Sequence, residues 1–389
     1  MTATYAPDLF SPHGITEPFG HYAAMRELGP VVWLEATGCW ATTTYAAAEE
    51  ALARDDVFRS GRGVSLNDDM NKNLVGSTLN SDAPEHGQRK KVSIRPLMPA
   101  SLKPLEPSIE AASRTLVESL PSEVEAVSQI SQYLPLNIVV DLLGLPADRA
   151  TEMLDWASAT FNFMGPPNEL ALSKRAALAD LRDFITDPNT RKRLTPGGWA
   201  AALFEAEERG KIPKGWASEQ MRDYLNPSLD TTIAATSYGL WLFAQQPEVW
   251  DRLRADHSLI PAAIEDIVRL ATPIRGFSRY IGEDTELAGQ PVKEGQRVFI
   301  LFAAANRDPD IFDRPHELVI DRPVNRHMGF GQGRHFCLGM HLARMEIRCL
   351  LTELAKRVRR FEVTGEARIG LNNTIYGLEH LPLRLHFED

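Results

Sequence analysis

Cys337 closes the run Phe330-Gly331-Gln332-Gly333-Arg334-His335-Phe336-Cys337-Leu338-Gly339. Two glycines ahead of a cysteine allow a tight loop and a close approach of backbone to a flat ligand. Beyond the cysteine the pattern turns helical. Leu338, Leu342, Met345 and Cys349 fall on one stripe, continued by Leu351, Leu354, Val358 and Phe361, so a helix is expected to start near Cys337. At a helix N-terminus, amide donors and the positive dipole end favour a thiolate. Gly339 leaves room for a large ring lying against that helix. The plain alternative is a buried, inert cysteine, the usual reading when a cysteine stands alone. The three cysteines, Cys39, Cys337 and Cys349, form no Cys-x-x-Cys pair, so neither a disulfide framework nor a structural zinc is expected.

Six positions, Phe330, Gly331, Gly333, His335, Cys337 and Gly339, agree with F-G-x-G-x-H-x-C-x-G. The segment resembles the haem-binding loop of the cytochrome P450 monooxygenases. The resemblance extends over nearly the whole chain. It implies haem b with Cys337 as the axial thiolate on iron, and Phe330, Gly331 and Gly339 against the ring. It also implies His335, Arg279, His86 and Lys90 as partners of the haem propionates, where a cation gains a charge-assisted hydrogen bond. Lys90 stands where the family has arginine and offers only a point charge. Asp266-x-x-Arg269, with Arg322, matches the family's Glu-x-x-Arg ion network, a structural element. The aspartate is one methylene shorter, and Glu265, four residues before Arg269, could pair with it instead.

Oxygen activation needs protons, and the resemblance implies Asp230 and Thr231 as the acid and alcohol that relay them. They lie in Pro227-Ser228-Leu229-Asp230-Thr231-Thr232, where Pro227-Ser228 replaces the family's small pair. Otherwise Asp230 is solvated and Thr231 bonds back to its own helix. A helix is expected from about Ser218 to Gln245, roughly 40 Å at 1.5 Å per residue, kinked at Pro227.

Several phrases resemble a bacterial subgroup that oxidises para-substituted benzoic acids: Ser60-Gly61-Arg62-Gly63-Val64, Phe161 to Leu170, and Asn372-Asn373-Thr374. That resemblance implies hydroxylation or O-demethylation of a small aromatic acid such as 4-methoxybenzoate. The expected substrate residues are Arg62, Val64, Ser65, Leu66, Phe161, Phe163, Ile274, Arg275 and Phe277. A carboxylate in an apolar pocket needs a partner. Arg62 with Ser65 suits that task, and Arg222 is a second candidate. Asp223, beside Arg222, would repel a carboxylate or neutralise Arg222. Alternatives are oxidation of a larger biosynthetic scaffold, a peroxide-driven oxygenase, and a non-catalytic haem sensor, which the Asp230-Thr231 pair disfavours.

The elements that must position these residues read as mainly α with a small β region, a cytochrome P450 fold in one domain over 1–389 that is β-richer at about 25–60. Strands are expected at Val31–Leu34 and Trp40–Tyr45, and a helix from about Tyr45 to Arg54. A long loop is expected at 59–81, mostly helix at 102–245, and a short helix between Pro261 and Thr272-Pro273. Strands are expected at Phe277–Tyr280, Gln290–Val292, Arg297–Phe302 and Leu381–Phe387.

The formal net charge of −10 argues against nucleic acid or an anionic membrane as a partner. No stretch approaches the ~20 apolar residues of a membrane span, no signal peptide is apparent, and a cytoplasmic protein is expected. No flavin or iron–sulfur domain is encoded. The resemblance implies an external iron–sulfur ferredoxin with an NAD(P)H-dependent reductase, besides dioxygen. The basic set Arg322, Arg326, Arg334, Arg344 and Arg348, joined by Arg89 and Lys91, would steer an acidic partner.

Overall fold

The computed structural model describes residues 3–323 and 326–388. Short β-branched and aromatic runs near the N-terminus form β1 (Thr4–Tyr5), β2 (Val31–Leu34) and β3 (Cys39–Thr42). The β2–β3 turn uses Gly38 at φ +61°, a left-handed geometry that costs glycine nothing. α1 (Tyr45–Ala53) follows, capped by the Thr44 side chain on the Ala47 amide, and then β4 (Phe58–Arg59). The stretch 59–81 is not all loop. Asn67 caps the short helix α2 (Asp68–Asn73) through the Asp69 amide.

After α3 (Glu85–Ser93) the chain is mostly helical. α4 (Glu106–Ser119), α5 (Tyr133–Leu143), α6 (Ala150–Met164), α7 (Arg175–Thr186) and α8 (Trp199–Glu208) pack by their apolar stripes, interrupted by β5 (Glu123–Glu125). The helix expected from Ser218 to Gln245 is two helices, α9 (Trp216–Ser228) and α10 (Asp230–Gln245), separated at Leu229 with φ −94° and ψ −79°. Pro227 offers no amide, and the Pro227 carbonyl is taken by the Thr231 hydroxyl at 2.7 Å, so the helix restarts instead of bending. α10 is buried nearly throughout and passes through the main core.

α11 (Pro247–Ala255), opened by a proline, was not anticipated. α12 (Ile260–Ala271) ends at Thr272 in a left-handed conformation. β6 (Phe277–Ile281) and β7 (Arg297–Ile300) return to the first sheet, whose order is β1-β2-β3-β7-β6-β4. β3 pairs in parallel with β7 and β6 antiparallel to it, setting Arg279 opposite Val298. α13 (Met340–Arg357) begins three residues after Cys337. Val358 and Phe361 do not extend its stripe. They belong to β8 (Val358–Val363), which pairs with β9 (Pro382–Phe387), itself paired to β5. No helix among the described residues is long and apolar enough to cross a membrane.

Candidate functional site

The loop before α13 is closed by its own backbone. The Gly331 amide donates to the Met328 carbonyl and the Cys337 amide to the Phe330 carbonyl, each at 2.9 Å. Gly331 and Gly333 sit at φ +69° and +68°, where a side chain would be strained. Cys337 therefore stands over the N-terminus of α13. Burial pushes its thiol up, while the amides of Gly339 and Met340 and the charge of Arg344 favour the thiolate. Behind the loop, Arg344 lies 4.5 Å from the Phe330 ring centre and grips Glu265 at 2.6 and 2.7 Å. Glu265 also meets His327 Nε2 at 3.1 Å. Burial alone would raise this carboxyl, but those bonds hold it at about 2.

Cys337 opens into a cavity of about 270 Å³ between α10, α13, the loop and β6. Its rim is positive. Arg279 is 3% exposed, and among the described residues its guanidinium donates only to its own strand, at the Ser278 carbonyl. The His86 and His335 rings lie 4.3 Å apart. Burial, then the neighbouring cations, drive His86 down to about 4 and His335 to about 2. Of the nearby acids, Asp82 accepts the Ser60 and Gly61 amides and Asp55 pairs with Arg334. Arg279, a buried cation with no acid within ion-pair distance among the described residues, calls for an anionic ligand, and the neutral imidazoles of His86 and His335 beside it can donate to one. The floor is flat and vacant: a Cβ on Gly339 would meet nothing within 4 Å, and one on Gly331 only the His335 carbonyl at 3.7 Å. This set fits haem: Cys337 would hold the iron, and Arg279, His86 and His335 are placed where they could receive its propionates. Lys90 departs from expectation. It stands beside the cluster but outside the cavity wall, donating to the Arg334 carbonyl at 2.9 Å, because that exposed carbonyl is within reach of its flexible stem.

Across the cavity, Thr231 lines the wall with Pro227, Ser228 and Thr232. Asp230 is enclosed by protein while part of its surface stays open, and it does not line the cavity. Burial raises its carboxyl to about 7, opposed by Lys174 and reinforced by Asp155.

Of the expected substrate residues, Phe161, Ile274, Phe277 and Arg222 line the cavity. Arg62 does not: it is exposed, stacked 5.1 Å over the Tyr280 ring and bonded to its hydroxyl, because the loop turns it outward at Gly63. Ser65 is likewise outside, its hydroxyl donating to the Phe163 and Met164 carbonyls. Val64, Leu66 and Phe163 are also absent from the wall. Arg275 is fully buried and bonded to the carbonyls of Leu9, Gly14 and Asn373, a brace and not a pocket cation.

Asp266 binds Arg269 at 2.6 Å, Arg322 at 2.8 Å and the Val319 amide at 2.6 Å. The shorter acid thus serves as the hub, and Glu265 does not pair with Arg269, being held by Arg344 and His327. The expected basic surface is largely neutralised. Arg322, Arg326, Arg334, Arg344 and Arg348 each meet an acid, respectively Asp266, Glu49, Asp55, Glu265 and Glu106, and Arg89 is buried against Glu85.

Three cavity residues carried no motif. Glu346 is 3% exposed with Oε2 unpartnered, and burial raises it to about 8. An acid inside the apolar stripe of α13 was its only signal. Thr78 and Asn226, each 6% exposed, also hold unpartnered oxygens.

Comparison with known proteins agrees with this geometry. The family model described as Cytochrome P450 matches residues 200–367. Cytochrome p450 CYP199A2 of Rhodopseudomonas palustris is 33% identical over 384 residues, covering 97% of this chain and 93% of that protein. Linalool 8-monooxygenase of Pseudomonas putida is 30% identical, over 96% and 98% of the two chains. The solved structure of CYP109E1 from Bacillus megaterium in complex with testosterone superposes with a TM-score of 0.86 at 28% identity, over 95% and 98%. With a thiol loop, a cationic rim and relatives of matching length, the chain belongs to the cytochrome P450 family, as a haem-thiolate monooxygenase whose iron takes its axial ligand from Cys337.

Proposed function

We propose that the chain is a ferredoxin-dependent monooxygenase that hydroxylates or O-demethylates a small para-substituted aromatic compound, the class that includes 4-methoxybenzoate. The observation that carries this reading is the shared cavity of Cys337 and Thr231, walled by Phe161, Ile274 and Phe277 with one polar end. Aromatic walls take a ring by area and edge-to-face contact, and an apolar chamber excludes water from the reacting carbon. The sequence phrases shared with the benzoate-oxidising subgroup support the same class.

Haem held by Cys337 would supply the activation of dioxygen. The chain's residues do the rest. The Gly339 and Met340 amides stabilise the sulfur charge. Arg279, His86 and His335 would receive the propionates. The Thr231 hydroxyl lines the cavity but donates to the Pro227 carbonyl four residues back, the arrangement the sequence offered as the alternative to a relay, so it must turn from that carbonyl to pass a proton into the cavity. Asp230, with its carboxyl raised to about 7, exchanges protons near neutral pH at the start of α10. In O-demethylation a methoxy C–H becomes C–OH, and the hemiacetal splits into a phenol and formaldehyde. Dioxygen, two protons and two electrons from the ferredoxin balance the step, with water as the second product.

The test is turnover with ferredoxin, reductase and 4-methoxyphenyl compounds, 4-methoxybenzoate among them. Formaldehyde and phenol in equal amounts are expected. No formaldehyde from any member, with a normal thiolate–carbonyl band under carbon monoxide, overturns the reading.

A further inference from the structure

The polar end of the cavity lies along α9, one or more turns before the Leu229 break. Asp223 and Asn226 are three residues apart and share a face, with Thr78 facing them from the α2–α3 segment. All line the cavity. The Asp223 carboxylate accepts the Thr78 amide at 2.7 Å. No cation among the described residues is within ion-pair distance of it; the nearby arginines are turned to other acids, although Arg222 Nε and Arg89 Nη1 each stay buried without a partner. Arg222 pairs with Glu219 and donates to the Asn73 carbonyl at 2.7 Å. Arg89 pairs with Glu85 at 2.7 Å and stacks 4.2 Å over Trp216. Two cations thus face three acids, and the acid without a cation is the one in the wall. Beside it, the Asn226 carbonyl oxygen is buried with no partner among the described residues, and the Thr78 hydroxyl is turned to the Asp223 carboxylate without reaching full hydrogen-bond geometry. Burial pushes the Asp223 carboxyl up, the mark of a charge wanting a donor.

We propose that Asp223, with Thr78 and Asn226, binds the polar end of the substrate as a hydrogen-bond donor, an alcohol, phenol or ammonium, and discriminates against a carboxylate. The inference rests on the small-aromatic reading above and narrows the substrate within it. A carboxylate here would face Asp223 at close range, and like charges in a site of low dielectric are strongly disfavoured. A hydroxyl can donate to the Asp223 carboxylate, and an ammonium to both it and the Asn226 carbonyl oxygen, and acceptors left unpaired are what make such sites selective. The dimensions agree. Asp223 and Thr231 stand eight positions apart on either side of the Leu229 break and line the same cavity, so a single ring can place a donor at Asp223 and a methyl ether near Thr231.

The experiment is an optical spin-state titration of the ferric holoenzyme with three ligands that differ only at the polar end: 4-methoxybenzyl alcohol, 4-methoxybenzylammonium and 4-methoxybenzoate. Asp223→Asn, near-isosteric, is titrated in parallel, its fold checked by the thiolate–carbonyl band. In the native protein the alcohol and the ammonium are expected to bind at least about tenfold more tightly than the benzoate, the margin of a charge-assisted bond. In Asp223→Asn the ammonium's advantage should fall to about threefold or less, as expected when only neutral bonds remain. Tighter binding of benzoate to the native protein, or a ligand order unchanged in the variant, overturns the inference and leaves the small-aromatic reading standing. A low-spin, nitrogen-ligated spectrum with the amine puts its nitrogen at iron instead of Asp223 and also overturns it. No response to any of the three, with a normal carbonyl band, removes the small-aromatic reading and this inference with it.

Discussion

Around the Cys337 loop, polar groups are paired at short range: amides on sulfur, Arg344 on Glu265, Asp266 on two arginines. At the α9 end of the same cavity, the Asn226 carbonyl oxygen and the Nε of Arg222 have no partner among the described residues, and none of their cations pairs with Asp223. The first region is held the same way whatever the substrate. The second leaves hydrogen bonds open for a ligand to complete. Chemistry common to every turnover is built from satisfied groups, and discrimination from unsatisfied ones.

The largest effect that would break this comparison is expected at the sulfur. Cys337→Ala should abolish the thiolate–carbonyl band and bring turnover to background, with helical circular dichroism retained. A retained band would mean another ligand holds the iron. Next, Asp266→Ala strands Arg269, buried and 0% exposed at its side chain. A loss of about 3–5 kcal/mol is expected from breaking a buried pair, read by chemical denaturation, and a loss below 1 kcal/mol would show that Arg322 and Arg269 find other acceptors.

On the second region, Asp230→Asn should slow product formation about a hundredfold, the usual worth of a positioned acid or base, while substrate Kd is unchanged. The sign with pH follows from the raised carboxyl. In native protein Asp230 is mostly protonated below about 7 and ionised above it, so the rate should change across that point. The limb should vanish in the variant. The same shift means that the ionised form is disfavoured in the folded state, so Asp230 lowers stability progressively as pH rises from the ordinary carboxylate range to about 7. Asp230→Asn should remove that part of the pH dependence. The smallest effect belongs to the electron-donor face. Because Arg348 is already paired with Glu106, Arg348→Ala should cost roughly 1 kcal/mol or less in apparent ferredoxin affinity. Tenfold weakening at low salt would restore the steering expected from the bare arginine count.

Much of the first region was legible because its spacing is dictated by local chemistry. The Gly-x-Gly loop must turn back on Phe330, and Asp266 and Arg269 are one turn apart on α12. The second region depends on which way loops face, and no local pattern encodes that. Arg62 and Ser65 looked apt by residue type, yet the turn at Gly63 and the Met164 carbonyl take them out of the cavity. Val358 and Phe361 satisfied helical spacing and strand propensity together, and pairing with β9 decided for the strand. Pro227 announced a disturbance, but the restart at Asp230 rests on a side-chain bond from Thr231.

The cationic rim has a consequence for the protein's life in a cell. Arg279, His86 and His335 are gathered around a space that a haem would complete, so a bound ring would add to the stability of the fold. By mass action each tenfold rise of haem above its dissociation constant adds about 1.4 kcal/mol to the stability of the loaded chain. The amount of this enzyme should therefore follow haem supply as closely as its own synthesis, since chains that miss their ring are the ones left to proteases.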